Sequence, residues 1–363
     1  MKRNISLDFF RGIMSIAVAL GHFFHWNGQT SKMPLSFILA VDFFLVLSGF
    51  VISVSVFNKE NFNTYKFIKS RYFRLIPVYL FCVIITLIPQ YFFAENFVKP
   101  NSLDVIRILS IGEMLPMNNL RFIYFEPLGI SYTISAEFSV GILLFPLIFV
   151  IRKYASQLLL PVLIIFSLFA FLKIVNDTSY FLNIHYALAY PFITYGVIRC
   201  LLDYSLGVIA YTIFEQRTTN NEQRTTNNEQ RTTNNWATVF QIIVLVLCFL
   251  LYRKISYNRV NEFVFPFICM VFIISLAHRR GVIFHWFNNG IGQFFGDISY
   301  PMYLIHPFFI NIFQWTHQEF NYLNSLFYIL LCVVSAFFIH KFIEKPCIIY
   351  FSKQYNIVIF KLY

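Results

Sequence analysis

Apolar residues run along this chain in long, nearly unbroken stretches near 9–26, 35–57, 75–94, 129–150, 157–175, 199–214, 236–252, 262–278, 298–315 and 324–343. Each is close to the roughly 20 residues that carry an α-helix across a hydrocarbon layer about 30 Å thick. The pattern predicts an all-α fold, a polytopic membrane bundle of about ten transmembrane helices. Polar positions gather between these stretches, and the basic ones set an orientation. With Lys2 and Arg3 in the cytoplasm, the inner loops hold Lys59, Lys66, Lys69, Arg71 and Arg74, then Arg152 and Lys153, then Arg217, Arg224 and Arg231, then Arg279 and Arg280. The outer loops hold fewer, and Lys341, Lys345, Lys353 and Lys361 return to the inside. This bias follows the positive-inside rule and predicts both termini in the cytoplasm. Residues 180–198, YFLNIHYALAYPFITYGVI, fit an external loop, a re-entrant segment or an additional span.

Polar positions also form one long insertion. Residues 215–235 are three perfect copies of EQRTTNN. A seven-residue period suggests a coiled coil, but no apolar a and d positions exist to zip one together. The segment reads as a hydrophilic, disordered cytoplasmic linker between the sixth and seventh helices, inside a single membrane domain covering 1–363.

Composition agrees with the pattern. At 58% hydrophobic residues, 12% charged and a mean hydropathy of +0.64, the chain carries more apolar side chain than a soluble domain of 363 residues could bury. The first stretch contains Asp8 and Arg11, runs to Trp26 and lacks a small-residue cleavage site, so it is expected to stay as a helix rather than be removed as a signal peptide. A net charge of +11 could indicate nucleic acid, but the basic residues are placed as topology signals, so no nucleic-acid partner is expected. Six cysteines lie in or beside apolar stretches without metal-ligand spacing. No metal site is expected.

Against this background the ionisable residues inside the spans carry the chemistry, because each is costly in a bilayer and usually faces a cavity or the bundle interior. In LDFFRGIMSIAVALGH, Arg11 and His22 lie eleven residues apart, almost a whole number of helical turns, so they share a face about 16 Å apart along the axis. Taken singly, each could snorkel to an interface. In SRYFRLIPVYL, Arg71 and Arg74 share a helix face at the inner boundary. Forked guanidiniums there suit a phosphate or pyrophosphate, although anionic lipid would also serve. Glu137, in SYTISAEFSVGILLFP, sits about a turn and a half into an otherwise uncharged helix and needs a partner, either a histidine or arginine that it orients or a structural ion pair. Near the C-terminus GDISYPMYLIHPFF and HKFIEKP supply Asp297, Tyr300, Tyr303, His306 and Glu344. His306, taken alone, reads first as a core histidine with its hydrogen bonds satisfied locally.

The ordered set RGIMSIAVALGH, VDFFLVLSGF, RYFRLIP, SYTISAEF, GDISYPMYLIHP and EKP resembles acyltransferase family 3, integral membrane enzymes that O-acylate bacterial surface polysaccharides and related sugars. The resemblance runs from residue 7 to about 346. It implies an acyl-CoA donor, usually acetyl-CoA, a functional Arg11 and His22 in the first helix, and functional Arg71 and Arg74 in the first cytoplasmic loop. It also implies a multi-pass protein of the bacterial cytoplasmic membrane. Departures are visible: YTISAEFSV stands where relatives commonly read WSLSVEEQF, leaving Glu137 as the acidic position, and SYPMYLIHPF stands for SYSLYLWHPP. The chain stops soon after the tenth span, so the extracytoplasmic serine-hydrolase-like domain fused to some relatives is expected to be absent.

The resulting expectation is a membrane sugar O-acetyltransferase. Acetyl-CoA is expected to enter from the cytoplasm with its phosphates at Arg71 and Arg74 and its arm passing Arg11. His22 is expected to act as general base, or as an acyl-bearing nucleophile, with Glu137 beside it. Asp8, Asp42, Tyr300, Tyr303 and His306 are assigned to the acceptor, a glycan or lipid-linked sugar such as lipopolysaccharide O-antigen, in contact with membrane lipid. A transporter would also place Arg, His and Glu in a bundle, but no inverted repeat is visible. A lipid-linked sugar flippase or polymerase, the remaining rival, would need no acyl donor.

Overall fold

The computed structural model describes residues 3–29, 39–58, 62–93, 102, 105, 128–177, 188–190, 193–221, 227–252 and 259–355. In order these form α1 (Ile5–His25), α2 (Ala40–Phe57), α3 (Thr64–Phe93), α4 (Ser131–Tyr154), a 3-10 turn (Ser156–Leu158) and α5 (Leu159–Asp177). Strands β1 (Leu188–Tyr190) and β2 (Ile193–Thr194) follow, then α6 (Tyr195–Asn221), α7 (Asn227–Tyr252), α8 (Arg259–Ala277) and α9 (Val282–Phe287). The chain continues through α10 (Gly290–Trp315), α11 (Tyr322–Ile339), a π-helical turn (His340–Glu344) and α12 (Lys345–Tyr355).

This is an all-α polytopic membrane bundle. Among the described residues seven helical segments are long and apolar enough to cross a membrane, and two shorter apolar helices cover Asn235–Leu250 and Glu262–Ala277. With α10, every predicted span coincides with a helix. α5 shows how such a helix sits: Leu163, Ser167, Ala170 and Ile174 are buried at helical spacing, while Ile164, Ile165, Leu168, Phe169 and Leu172 point outward. One stripe packs on protein and the rest suits lipid. Four of the cysteines, Cys82, Cys200, Cys269 and Cys332, are buried, and all six are free thiols.

Two seams hold the parts that matter. α1 packs along α10, and α2 along α6. At the second seam a Cβ on Gly207 would stand 2.2 Å from the Val46 carbonyl oxygen and 2.8 Å from the Gly49 Cα, so only glycine lets these two backbones touch. The same seam carries a buried ion pair, Arg199 to Asp42.

Within 180–198 the described residues form an antiparallel ribbon, Leu188 facing Thr194 and Tyr190 facing Ile193, followed by the first turn of α6. Residues 178–187 and 191–192 lie outside the described residues. Both ends of the repeat are helical, and residues 222–226 lie outside the described residues. α6 runs into it as far as Asn221 and α7 begins within it at Asn227. Glu215, its first residue, accepts two hydrogen bonds from Arg152 at 2.7 and 2.8 Å and one from Tyr211 at 3.2 Å. The anchor is ionic, which is why a search for apolar anchoring positions passes over it.

Candidate functional site

The face shared by Arg11 and His22 is the one α1 turns toward α10. Arg11 donates from Nε to Ser299 Oγ and from Nη2 to the Gly296 carbonyl, both at 2.8 Å, and its Nη2 lies 3.5 Å from Asp8 Oδ1. Gly296 permits this approach, since a Cβ there would stand 2.4 Å from the Asp8 Cβ. About three turns along, His22 Nδ1 and His306 Nε2 are 2.9 Å apart, the two rings meeting edge to edge with their planes only 6° from parallel. Trp26 packs beside both rings, its ring centroid 4.6 Å from that of His22 and 6.3 Å from that of His306. His306 is fully buried. Tyr328 closes the seam from α11, donating toward the Ala19 and His306 carbonyls at 3.2 and 3.4 Å.

The arginine pair of α3 divides its tasks. Arg71 donates from Nη2 to Glu137 Oε1 at 2.8 Å, and Ser48 donates to the same oxygen at 3.2 Å. Tyr204 adds a longer contact to Arg71 at 3.5 Å. Glu137 is therefore the partner of Arg71, and the expected pairing of Glu137 with His22 gives way to the pairing of His22 with His306. Both guanidiniums are buried in protein, at 6% and 5% exposure, a cover that an arginine placed only for topology does not need.

Arg74 instead faces a cavity of about 640 Å³, its mouth included, lined by Arg11, Val41, Phe44, Leu45, Ser48, Arg74, Leu75, Thr133, Ile134, Glu137, Ser299, Tyr300 and Tyr303. An apolar wall with a few convergent polar groups is the usual chemistry of small-molecule and cofactor pockets. Five helices contribute: α1, α2, α3, α4 and α10. Tyr300 is fixed by a 2.8 Å hydrogen bond to the Leu75 carbonyl, and Tyr303 by hydrogen bonds with Thr133 Oγ1 and the Ile130 carbonyl. The Tyr303 ring stands edge-on to His306 at 5.8 Å. One aromatic ring thus separates the cavity from the histidine pair.

Of the residues singled out by sequence, Arg11, Arg74, Glu137, Tyr300 and Tyr303 line this cavity, Arg71 stands behind Glu137, and His22 and His306 behind Tyr303. Asp8 and Asp42 are not in the lining. Asp8 is held by Arg3 at 2.5 Å and by Arg11, with Arg3 also reaching Asp297 at 2.8 Å. Burial works against the Arg3 charge, but Asp8 and Asp297 more than offset it and raise its pKa. Asp42 is fully buried and receives Arg199 Nε at 2.6 Å, with Asp203 adjoining it. Carboxylates buried this deeply are occupied in neutralising guanidiniums, which leaves them unsuited to the acceptor role expected of them.

Sequence reading passed over Arg199 and Asp203, although two ionisable residues inside an apolar span are a detectable signal. It also passed over Ser48, Thr133 and Ser299, for which no sequence signal exists, because hydroxyl residues are common in membrane helices. His340 was missed as well; its Nδ1 lies 2.7 Å from Glu344 Oε2 in the π-helical turn, both residues buried. Among the described residues no three His, Cys, Asp or Glu side chains converge as metal ligands do.

The model of acyltransferase family 3, described as an acyltransferase domain, matches residues 4–345. No curated protein and no solved structure matches the chain.

Proposed function

The chain belongs to acyltransferase family 3 and is a multi-pass membrane acyltransferase, and from that premise we propose that it transfers an acetyl group from acetyl-CoA to a sugar hydroxyl of a surface glycan such as lipopolysaccharide O-antigen. In this reading it resides in the bacterial cytoplasmic membrane with both termini and the repeat inside. The observation that carries it is the cavity: two guanidiniums, Arg11 and Arg74, and five hydroxyl side chains converge on an apolar-walled space one ring away from paired histidines.

Arg74 lines the cavity and is placed to meet a donor phosphate, whereas Arg71 is bound to Glu137. Arg71 then holds Glu137 in place at the cavity edge, and Glu137 offers its carboxyl group to a polar group in the cavity. Arg11 is held rigid by Ser299 and the Gly296 carbonyl, so its charge is oriented before any ligand arrives. The apolar wall of Val41, Phe44, Leu45, Leu75 and Ile134 suits the pantetheine arm. His22 takes the proton from the attacking sugar oxygen as that oxygen bonds to the thioester carbonyl carbon. The C–S bond then breaks, the proton passes from His22 to the departing thiolate, and ester and free CoA thiol are released. Tyr303 must shift to admit the reacting atoms to His22.

The test is purified protein given acetyl-CoA with and without a glycan acceptor, following free thiol. Acceptor-dependent thiol release, together with loss of an acetyl group from the surface glycan of a deletion strain by mass, is the expected result. A protein that leaves the thioester intact with every glycan fraction of its own cell envelope overturns the reading.

A further inference from the structure

Two arginines meet one buried carboxylate at the N-terminal end of α1, and the distances show which of them holds it. Asp8, 2% exposed, accepts a hydrogen bond on Oδ2 from Arg3 Nε at 2.5 Å, while Arg11 Nη2 stands 3.5 Å from Oδ1. The first is a charge-assisted hydrogen bond, and the second lies outside the ordinary range of about 2.7–3.2 Å. Asp8 and Arg11 are three residues apart on one helix face, a spacing at which an aspartate and an arginine readily close into a direct pair. Here Arg11 instead gives its Nε to Ser299 and its Nη2 to the Gly296 carbonyl, and in that position it lines the cavity. Arg3 is itself tied down. Its Nη2 donates to Asp297 on α10 at 2.8 Å, and its carbonyl oxygen accepts from Arg279 Nη2 at 3.4 Å. The next residue, Asn4, caps α1 by accepting from Leu7 N and donates to the Leu276 carbonyl of α8 at 2.9 Å.

We propose that Arg3 is a positioning residue for Arg11: by occupying Asp8 it keeps that carboxylate from drawing the Arg11 guanidinium off Ser299 and the Gly296 carbonyl, and so leaves Arg11 in the cavity for the acyl donor. The inference rests on the reading of the cavity as the donor site. A carboxylate as buried as Asp8 cannot rely on water for its countercharge. When Arg3 loses its charge, the guanidinium one turn along the same face moves to Asp8, because a carboxylate offers a full opposite charge where Ser299 and Gly296 offer only dipoles. Gly296 packs against the Cβ of Asp8, so this approach is made by the long arginine side chain rather than by the aspartate. Asp297 completes the arrangement. It takes the other arm of the Arg3 fork and keeps Arg3 at the end of the α1–α10 seam, outside the cavity lining.

The experiment compares wild type, Arg3→Gln and the double variant Arg3→Gln with Asp8→Asn in purified protein, measuring kcat, KM for acetyl-CoA and the unfolding midpoint. Arg3→Gln is expected to raise KM by about tenfold or more, the low end for a lost hydrogen bond to a charged group. The double variant is expected to bring KM most of the way back, because no carboxylate is left to draw Arg11 away. A purely structural contact predicts the opposite pattern: a lowered midpoint, an unmoved KM and no repair by the second substitution. Should the glutamine protein be lost from membranes, Arg3→Lys takes its place. Lysine keeps a charge for Asp8 but gives up the fork to Asp297, so a smaller rise is expected, again removed by Asp8→Asn. A wild-type KM in the single variant, or a double variant with KM as high as the single, overturns the positioning role. A wild-type protein that leaves acetyl-CoA intact overturns the donor reading instead, and the role of Arg3 is then decided by a structure of the Arg3→Gln protein. Arg11 on Asp8 is expected there, and Arg11 still on Ser299 and the Gly296 carbonyl overturns the inference.

Discussion

Arg71 and Glu137, 66 residues apart in sequence, meet at 2.8 Å in the bundle interior, with their side chains 7% and 19% exposed. This pair joins α3 to α4 at the edge of the cavity that Arg74 lines. Removing either member leaves a buried charge without its counterion, which generally costs about 3–5 kcal/mol. Glu137→Gln is therefore expected to lower the thermal stability and membrane abundance of the protein, and Arg71→Gln with Glu137→Gln to recover part of the loss. A double variant no more stable than the worse single variant would show that the pair contributes no coupling. The check is the midpoint of thermal unfolding in detergent.

Arg74→Ala has a different expected signature. Normal abundance should accompany a weaker donor, by about 1.5–3 kcal/mol in binding free energy, the range for hydrogen bonds to charged groups. Equilibrium binding of acetyl-CoA measures it. Unchanged affinity would remove Arg74 from the donor site.

On α1, His22→Ala is expected to abolish transfer while leaving insertion and abundance nearly unchanged, because a small neutral residue costs nothing in lipid. Substantial activity at normal abundance would exclude His22 from the mechanism. Arg11→Lys should also be impaired. A single ammonium cannot reproduce the two directed 2.8 Å bonds to Ser299 and Gly296. Full activity of the lysine protein would mean that charge alone suffices.

Gly207→Ala tests the seam between α2 and α6. The added methyl meets backbone rather than a movable side chain, at 2.2 Å from the Val46 carbonyl oxygen. Overpacking of this kind costs about 1–3 kcal/mol, and the helices must part where Gly207 meets Val46 and Phe50. A lowered unfolding midpoint is expected, while Gly290→Ala, with open space around its Cβ, should leave the midpoint close to wild type. Equal midpoints for the two variants would mean that the seam yields without cost.

The repeat is expected to tolerate changes in copy number. Because the copies are identical, any number of them leaves a glutamate at position 215, so the bidentate contact with Arg152 survives. Doubling a loop costs only roughly 0.6 kcal/mol, and seven extended residues reach about 23 Å, beyond the 8–10 Å between packed helix axes. Proteins with one, three and six copies should acetylate alike, and a cysteine at Thr225 should resist impermeant reagents in intact cells. Labelling from outside would overturn the orientation of the second half of the chain.

The sequence alone determined the class of fold, because a run of about twenty apolar residues has no other stable place than a membrane-spanning or deeply buried helix. It also determined which residues needed an explanation: Arg11, His22, Arg71, Arg74 and Glu137 stood out as costs, and the eleven-residue spacing placed Arg11 and His22 on one face whatever their surroundings. Which partners those residues take was decided only by tertiary structure. Glu137 lies within reach of Arg71 and His22 of His306 because of the order in which α1, α3, α4 and α10 pack, and that order depends on close approaches at glycines such as Gly296 that leave no mark on helical periodicity. The absence of Asp8 and Asp42 from the cavity lining has the same origin. A buried carboxylate is claimed by the nearest guanidinium, here Arg3 and Arg199, and nearness across a bundle is set by packing rather than by position along the chain.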